Sequence, residues 1–388
     1  MRIGLVVPEF PPDTIGGGGR VFEGLALAMH ARGHSVRVLT SSTVGGPACN
    51  DSGYPFPIAR VKQFKHFTPQ YRTYMPPLPR ELFRFRNFLR GSDVYHLHGY
   101  GVAFVDSVFH FLTDWHKTVF TNHGFPYTAP RAGGMLSAAY RLYDAAFGVK
   151  VLKNSCRLTA VSSFAAGQVE SAIGRSVEVI PNGFAVTIAQ AIADAALREF
   201  MIGGPYILCV GRIEPLKGFD LVVRALRKLR DNGSGLRLIV AGSDNSQGAS
   251  LARLVSELGL TSAVIFAGRL EHSALMSLYQ SASYCVVSSY TESFSLVTLE
   301  AMSQGTPSVL SAVGGILDIA RDAENALLFS PGDVNGIAAA IARLESSPLL
   351  RARLILNGRS TVEKYAWPEV AARYEATYLA CAATSQLQ

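Results

Sequence analysis

The sequence predicts an α/β protein built from two doubly wound parallel sheets. Three observations predict it: apolar runs of strand length, helical patterns between them, and a restart of that alternation near residue 206. Strands covered on both faces read as unbroken apolar runs, and their alternation with helices implies crossover connections in a parallel sheet. The length of 388 residues agrees with two domains, since one domain takes about 150 residues.

Taken in order, residues 3–7 (Ile-Gly-Leu-Val-Val) form the first strand. A Pro/Gly loop through Gly16, Gly17, Gly18 and Gly19 follows, then a helix over 20–31 ended by Gly33, then a strand over 36–39. Further strands fall at 94–97, 118–121 and 158–161. Residues 181–205 are rich in Gly, Pro and Ala with weak strand signals, and read as the linker. The second half places strands at 206–210, 236–241, 264–267, 284–287, 307–310 and 326–329. Trp367, Tyr374 and Tyr378 lie in a helical pattern over 363–383. Neither half shows a short-period repeat, which excludes a solenoid.

Composition removes other classes. A hydrophobic fraction of 48% excludes global disorder. The net charge of +7 is local: residues 60–90 hold eight basic residues and the single acid Glu81. That distribution argues against a genome-binding protein with basic faces throughout. The N-terminal apolar run ends at Pro8, too early for a signal peptide. Asp106 and Asp114 interrupt the most apolar region, 101–120, so no run of about 18 apolar residues exists to cross a bilayer. Cysteines 49, 156, 209, 285 and 381 are odd in number and lack a Cys-x-x-Cys pair. A reducing cytoplasm fits better than a disulfide framework or a structural zinc site.

In doubly wound sheets ligands bind outside the carboxyl ends of the strands, so the loops that follow the strands carry the chemistry. Residues 211–218 read Gly-Arg-Ile-Glu-Pro-Leu-Lys-Gly and open a helix near Phe219. Arg212 and Lys217 beside a helix N-terminus suit a diphosphate; the alternative is two solvated loop cations. The P-loop ending is missing. In residues 291–302, Glu292 precedes a helix that starts near Ser295, and the amides of Phe294, Ser295 and Leu296 are placed to meet an anion. Glu300, inside that helix, is the kind of carboxylate that accepts ribose hydroxyls. The alternative makes Glu292 a dipole-complementing charge and Glu300 a surface residue.

Together the two loops resemble the family 4 (group 1) retaining glycosyltransferases, whose GT-B plan sets two Rossmann-like domains across a cleft. The resemblance covers nearly the whole chain: Pro11-Pro12 and the Gly16 to Gly19 loop, His96-Leu97-His98, Thr121-Asn122-His123-Gly124, Pro181-Asn182-Gly183 and Gly211-Arg212 with Lys217-Gly218. It continues through Gly305-Thr306-Pro307, Gly314-Gly315-Ile316 and Pro331-Gly332-Asp333. Its most specific signal is the Glu-x7-Glu spacing of Glu292 and Glu300.

The resemblance implies an acceptor-binding domain over 1–185, joined by a C-terminal helix over about 368–388, and a donor-binding domain over 186–367. The competing placement packs that helix on the second domain. Arg212 and Lys217 match the cations that hold the donor diphosphate in place of a divalent metal, and the chain contains no Asp-x-Asp. Loss of a nucleoside diphosphate needs positive charge, whether from a metal or from fixed cations. Glu292 matches the carboxylate beside the transferred sugar, and Glu300 the ribose-binding one. Arg269 and Leu270 match the stretch that frames the nucleobase. His123 matches the histidine that faces the donor sugar near the reaction centre. Gly17 and Gly18 match the loop whose amides approach phosphate or acceptor. Ser295 stands where glycine is common, and Asp318 where glutamate is frequent. His96 reads as structural, Asn182 as a turn residue, and His98, just past a strand, as a cleft-lining candidate.

The implied reaction moves a hexosyl group from a UDP- or GDP-sugar to a carbohydrate hydroxyl, with retention and with neither cofactor nor divalent metal. The implied acceptor is a lipid-linked or cell-surface glycan precursor; no nucleic-acid partner is expected. Residues 60–90 admit two readings: a sheet-covering helix with solvated arginines plus a surface loop, or a patch for an anionic membrane that makes the protein peripheral at the inner face. At helical spacing Leu82, Phe85, Phe88 and Leu89 share one face, with Arg80, Arg84 and Arg90 off it. Two alternatives of function stay open, a sugar-nucleotide epimerase or hydrolase on the same plan and a non-catalytic nucleotide-sugar-binding partner.

Overall fold

A computed structural model describes residues 1–12, 14, 17–42, 53–62, 79–112, 114–124, 142, 144–187, 189 and 195–385. The chain divides into two compact units, Met1–Phe184 with Tyr365–Gln388, and Ala185–Lys364.

The first unit runs β1 (Arg2–Val7), α1 (Gly18–Ala31), β2 (Ser35–Ser42), β3 (Ile58–Lys62), α2 (Pro79–Leu89), β4 (Val94–His98), α3 (Ala103–Phe111), β5 (Thr118–Asn122), α4 (Val149–Asn154), β6 (Arg157–Ala160), α5 (Ser163–Ile173) and β7 (Glu178–Val179). The strands pair in parallel in the order β3-β2-β1-β4-β5-β6-β7. The order reverses between β1 and β4, which is where such a sheet opens a ligand crevice. Every residue of β4 and β5 is buried, as expected for central strands covered on both sides. Neither β3 nor β7 is legible in the sequence, because Arg60, Lys62 and Glu178 break up their apolar runs.

Arg60 corrects the reading of the basic stretch. It is buried in β3, and its guanidinium donates to the carbonyl of Phe10 at 3.0 Å and to that of Pro11. It therefore anchors the loop after β1 and is not part of a surface patch. Residues 63–78 of that stretch lie outside the described residues. On α2, Phe85 and Leu89 are buried while Phe83, Arg86 and Arg90 beyond the helix end are exposed.

The second unit runs α6 (Ala195–Ile202), β8 (Tyr206–Val210), α7 (Phe219–Asp231), β9 (Arg237–Ala241), α8 (Gly248–Glu257), β10 (Val264–Gly268), α9 (His272–Ser281), β11 (Tyr284–Val287), α10 (Leu296–Gln304), β12 (Ser308–Ser311), α11 (Ile316–Ile319), β13 (Leu327–Phe329), α12 (Val334–Ser346) and α13 (Pro348–Glu363). Its parallel sheet has the order β10-β9-β8-β11-β12-β13, reversing between β8 and β11. Helix α6 lies within the stretch that reads as linker. Helix α7 shows why the pattern folds as it does: Phe219, Val222, Val223, Leu226 and Leu229 repeat at helical spacing and are buried on the sheet. Two starts are capped as their chemistry dictates: Asp333 accepts from Gly336 N at 2.9 Å, and Ser347 from Leu350 N at 3.3 Å.

Helix α14 (Trp367–Ser385) belongs to the first unit and buries Val370, Ala371, Tyr374, Tyr378 and Cys381 in the core built around β1, β2, β4 and β5. The pattern over 363–383 is two elements, since Glu363 ends α13. Phe184 N donates to Tyr365 O at 2.7 Å, so the outgoing and returning segments run side by side. No helix among the described residues is long and apolar enough to cross a membrane.

Candidate active site

In the second unit β8 and β11 are neighbours, with Tyr284 opposite Ile207 and Cys285 opposite Leu208. The loops that leave their carboxyl ends therefore meet, although Lys217 and Glu292 are 75 residues apart in sequence. The Lys217 ammonium donates to Glu292 Oε1, and the same oxygen accepts from Ser289 Oγ at 2.8 Å. Backbone bonds lock the loops together: Tyr290 N donates to Leu216 O at 2.9 Å, and Ser288 Oγ to Lys217 O at 2.8 Å. Gly218 sits at φ +62°, and a Cβ there would stand 2.4 Å from Ser288 O. Only glycine fits.

Arg212 is exposed and pairs with Glu214 Oε1 at 3.0 Å; the other Glu214 oxygen accepts from Asn245 Nδ2 at 3.0 Å. Glu214 is itself buried. None of Glu214, Asn245 and Ser289 stands out in the sequence as a site residue. For Glu214 a signal existed, because side chains two apart in an extended loop face the same way. On the far side, Gly315 N donates to Glu292 O at 2.8 Å, and a Cβ on Gly315 would meet Ser293 O at 2.2 Å.

Ser295 is the cap residue of α10 and adopts φ +84°, the left-handed region that favours glycine. Its hydroxyl bonds the Thr298 hydroxyl at 2.9 Å, and no side chain caps the helix. The start of α10 thus keeps uncapped amides suited to an anion. Phe294 is buried before it, and Leu296 is its first, half-buried residue. Glu300, a half-buried position in α10, accepts from the Tyr279 hydroxyl at 2.9 Å through Oε2, while His272 Nδ1 lies 3.9 Å from Oε1. Arg269 is exposed and Leu270 half-buried in the turn between β10 and α9. The second unit therefore brings Arg212, Lys217 and Glu292 into one loop pair, next to the start of α10.

In the first unit β4 and β5 pair with His98 opposite Thr121, which sets three histidines in a row. His98 Nδ1 and His123 Nε2 are 3.0 Å apart. His96 bonds the Tyr378 hydroxyl through Nδ1 at 2.6 Å and Thr121 Oγ1 through Nε2 at 2.7 Å. Burial lowers His96 to about 3 and His123 to about 4, the nearby His123 adding to the effect on His96. Burial, then the two neighbouring histidines, hold His98 well below its ordinary range. All three are neutral near pH 7. His98 does not lie past the strand: it is the last residue of β4, buried against His96, with ring centroids 4.0 Å apart, and Phe22 at 5.0 Å.

At the start of α1, Gly17 is exposed and Gly18 half-buried, and Gly19 N donates to Glu9 Oε1 at 2.8 Å. A carboxylate of the chain itself thus occupies one amide of the glycine loop, a residue the sequence reading passes over. Gly16 lies outside the described residues. Among the described residues no cluster of three or more His, Cys, Asp or Glu is arranged to hold a metal ion.

Residues 15–187 match the family model described as Glycosyltransferase Family 4, and residues 199–361 the model described as Glycosyl transferases group 1. The chain is 28% identical over 384 residues to an uncharacterised glycosyltransferase of Methanocaldococcus jannaschii, with 96% of each chain covered. It is 28% identical over 400 residues to glycogen synthase of Mycobacterium tuberculosis, covering 98% of this chain and 95% of that one. Sucrose-phosphate synthase from Thermosynechococcus elongatus superposes with TM-score 0.79 at 25% identity, covering 97% of this chain and 98% of that one. HepE from Anabaena, solved in complex with UDP-glucose, shares the fold with TM-score 0.73 at 16% identity, covering 98% and 100%. Two parallel Rossmann-like units and family matches across both of them lead to one assignment. The chain belongs to the family 4 (group 1) glycosyltransferases, of GT-B fold.

Proposed function

We propose that this glycosyltransferase moves a hexosyl group from a UDP- or GDP-sugar to a carbohydrate hydroxyl with retention of configuration, using no divalent metal and no cofactor. The observation that carries the reading is the Lys217–Glu292 pair, beside Arg212 and the uncapped start of α10. Departure of a nucleoside diphosphate builds negative charge on the phosphates. Fixed cations and helix amides stabilise that charge without reorganising. A diphosphate arriving at Lys217 draws the ammonium from Glu292 and releases the carboxylate toward the sugar hydroxyls and the positive charge at the anomeric carbon. Ser289 holds Glu292 in place meanwhile. The acceptor hydroxyl attacks from the leaving-group face and passes its proton to the departing phosphate oxygen. Glu300 takes the ribose hydroxyls, Arg269 and Leu270 frame the base, and neutral His123 belongs to the acceptor-binding unit. The UDP-glucose bound to HepE supports a nucleotide sugar as donor.

The acceptor reading is a lipid-linked or cell-surface glycan precursor met at the cytoplasmic face of a membrane. It is supported by the basic residues of 62–90, the buried Arg60 set aside, and by the exposed Phe83, Arg86 and Arg90. Co-sedimentation with anionic vesicles at low salt tests it, and absence of binding overturns it.

For the reaction, turnover in the presence of EDTA and the anomeric configuration of the product by NMR are the decisive measurements. Lys217→Ala and Glu292→Ala each lower kcat/KM by about a hundredfold or more, with melting temperatures near that of the native chain. Near-normal turnover in both overturns the site. An inverted product overturns retention, EDTA inhibition overturns metal independence, and epimer or free sugar formed without acceptor favours the epimerase or hydrolase reading.

A further inference from the structure

Tyr279 is fully buried at the core side of α9 and directs its hydroxyl to Glu300 Oε2 at 2.9 Å. Burial, and then the carboxylate itself, hold the phenol far above its ordinary value, so the phenol donates and the carboxylate accepts. The main chain of the same residue is anchored as well, its carbonyl accepting from Thr306 Oγ1 at 2.6 Å. A glutamate side chain has three rotatable bonds, and a donor fixed in the core holds them in one arrangement. Engaging Oε2 from below leaves an ionised carboxylate with acceptor capacity to spare, since its two oxygens offer about four lone-pair sites. His272 flanks the other oxygen and is tied through Nε2 to Thr187 Oγ1 at 3.0 Å.

We propose that Tyr279 is a positioning residue: it aims the Glu300 carboxylate at the ribose hydroxyls of the donor and thereby sets a preference for ribonucleotides over deoxyribonucleotides. The inference rests on the reading of Glu300 as the ribose-binding carboxylate. The physical reason is directional. A carboxylate held in one orientation rewards two correctly placed hydroxyls, whereas a swivelling one discriminates little between sugars that have them and sugars that lack one.

The test is calorimetric titration of the full chain with UDP and GDP and with their 2′-deoxy and 3′-deoxy counterparts. The native chain is expected to bind the ribonucleotide about tenfold tighter than its deoxy forms, the discrimination that a hydrogen bond to a charged group supports. Tyr279→Phe keeps the ring volume and removes one hydroxyl. It is expected to weaken the ribonucleotide about fivefold to tenfold and the deoxy forms by no more than about twofold, so that the preference collapses. Glu300→Gln is expected to lose the same preference, and Tyr279→Phe added to it to lose nothing further. Equal weakening of every nucleotide by Tyr279→Phe marks a packing role and overturns the proposal; unchanged binding overturns it too. Should Tyr279→Phe melt below the assay temperature, Glu300→Asp withdraws the carboxylate from Tyr279 without touching the core, and a preserved ribose preference there overturns the proposal. A Glu300→Gln variant that keeps its ribose preference overturns the reading of Glu300 instead, and native protein that binds neither UDP nor GDP overturns the donor site as a whole.

Discussion

Three histidines that share one end of the first sheet set a pH dependence of stability. His96 and His123 titrate at about 3 and about 4 when folded, against an ordinary value of 6.5, because burial penalises the imidazolium. The unfolded chain therefore binds protons that the folded chain refuses. Stability is full above the ordinary histidine value and is lost as pH falls below it, each histidine costing up to about 1.4 kcal/mol per pH unit until its folded value is reached. Melting curves should fall between about pH 6.5 and 4, and His96→Gln should flatten that fall; a curve level to pH 4 contradicts the burial of these rings. Glu214 makes a second prediction. It holds Arg212 from a buried position, so Glu214→Gln should raise the donor KM and lower kcat/KM about tenfold, measured by initial rates. Unchanged KM would remove Glu214 from the donor site.

At the scale of elements, the strand-then-loop logic explains why a few glycines are irreplaceable. Gly218→Ala forces a Cβ to within 2.4 Å of Ser288 O at φ +62°, at a cost of about 1–3 kcal/mol. Denaturant unfolding should show that loss, and UDP or GDP binding should weaken because the loop carrying Lys217 shifts. Strands such as β1 and β8 were readable because each carries an unbroken apolar run. β3, β7 and the linker helix α6 were not, because polar residues interrupt short elements whose other face is supplied by the tertiary fold. Ser295 shows the same limit in a single residue. Its departure from glycine is visible in the sequence, but the backbone conformation that makes glycine favourable there, φ +84°, is not.

At the scale of the whole molecule, the last helix completes the first unit. Trp367 lies against Gly24 of α1 and Gly183, where a Cβ would come within 2.4 Å and 2.3 Å of the indole. Gly24→Ala should therefore cost about 1–3 kcal/mol by overpacking, and adding Trp367→Ala should recover part of it, a coupling that a double-mutant cycle by thermal melting measures. Strict additivity would contradict the packing. The sequence by itself determined the fold class, the alternation of elements, the family, and which loops and which following helix carry Arg212, Lys217, Glu292 and Glu300, because periodicity and motif spacing are local properties of a chain. Only the tertiary structure decided that Lys217 and Glu292 pair, that Glu214, Ser289 and Tyr279 bond to Arg212, Glu292 and Glu300 in turn, that Glu9 fills an amide of the glycine loop, and that Arg60 and His98 are interior. Those facts depend on strand order, which joins residues dozens of positions apart, and on burial, which is a property of the packed sheet rather than of any window along the sequence.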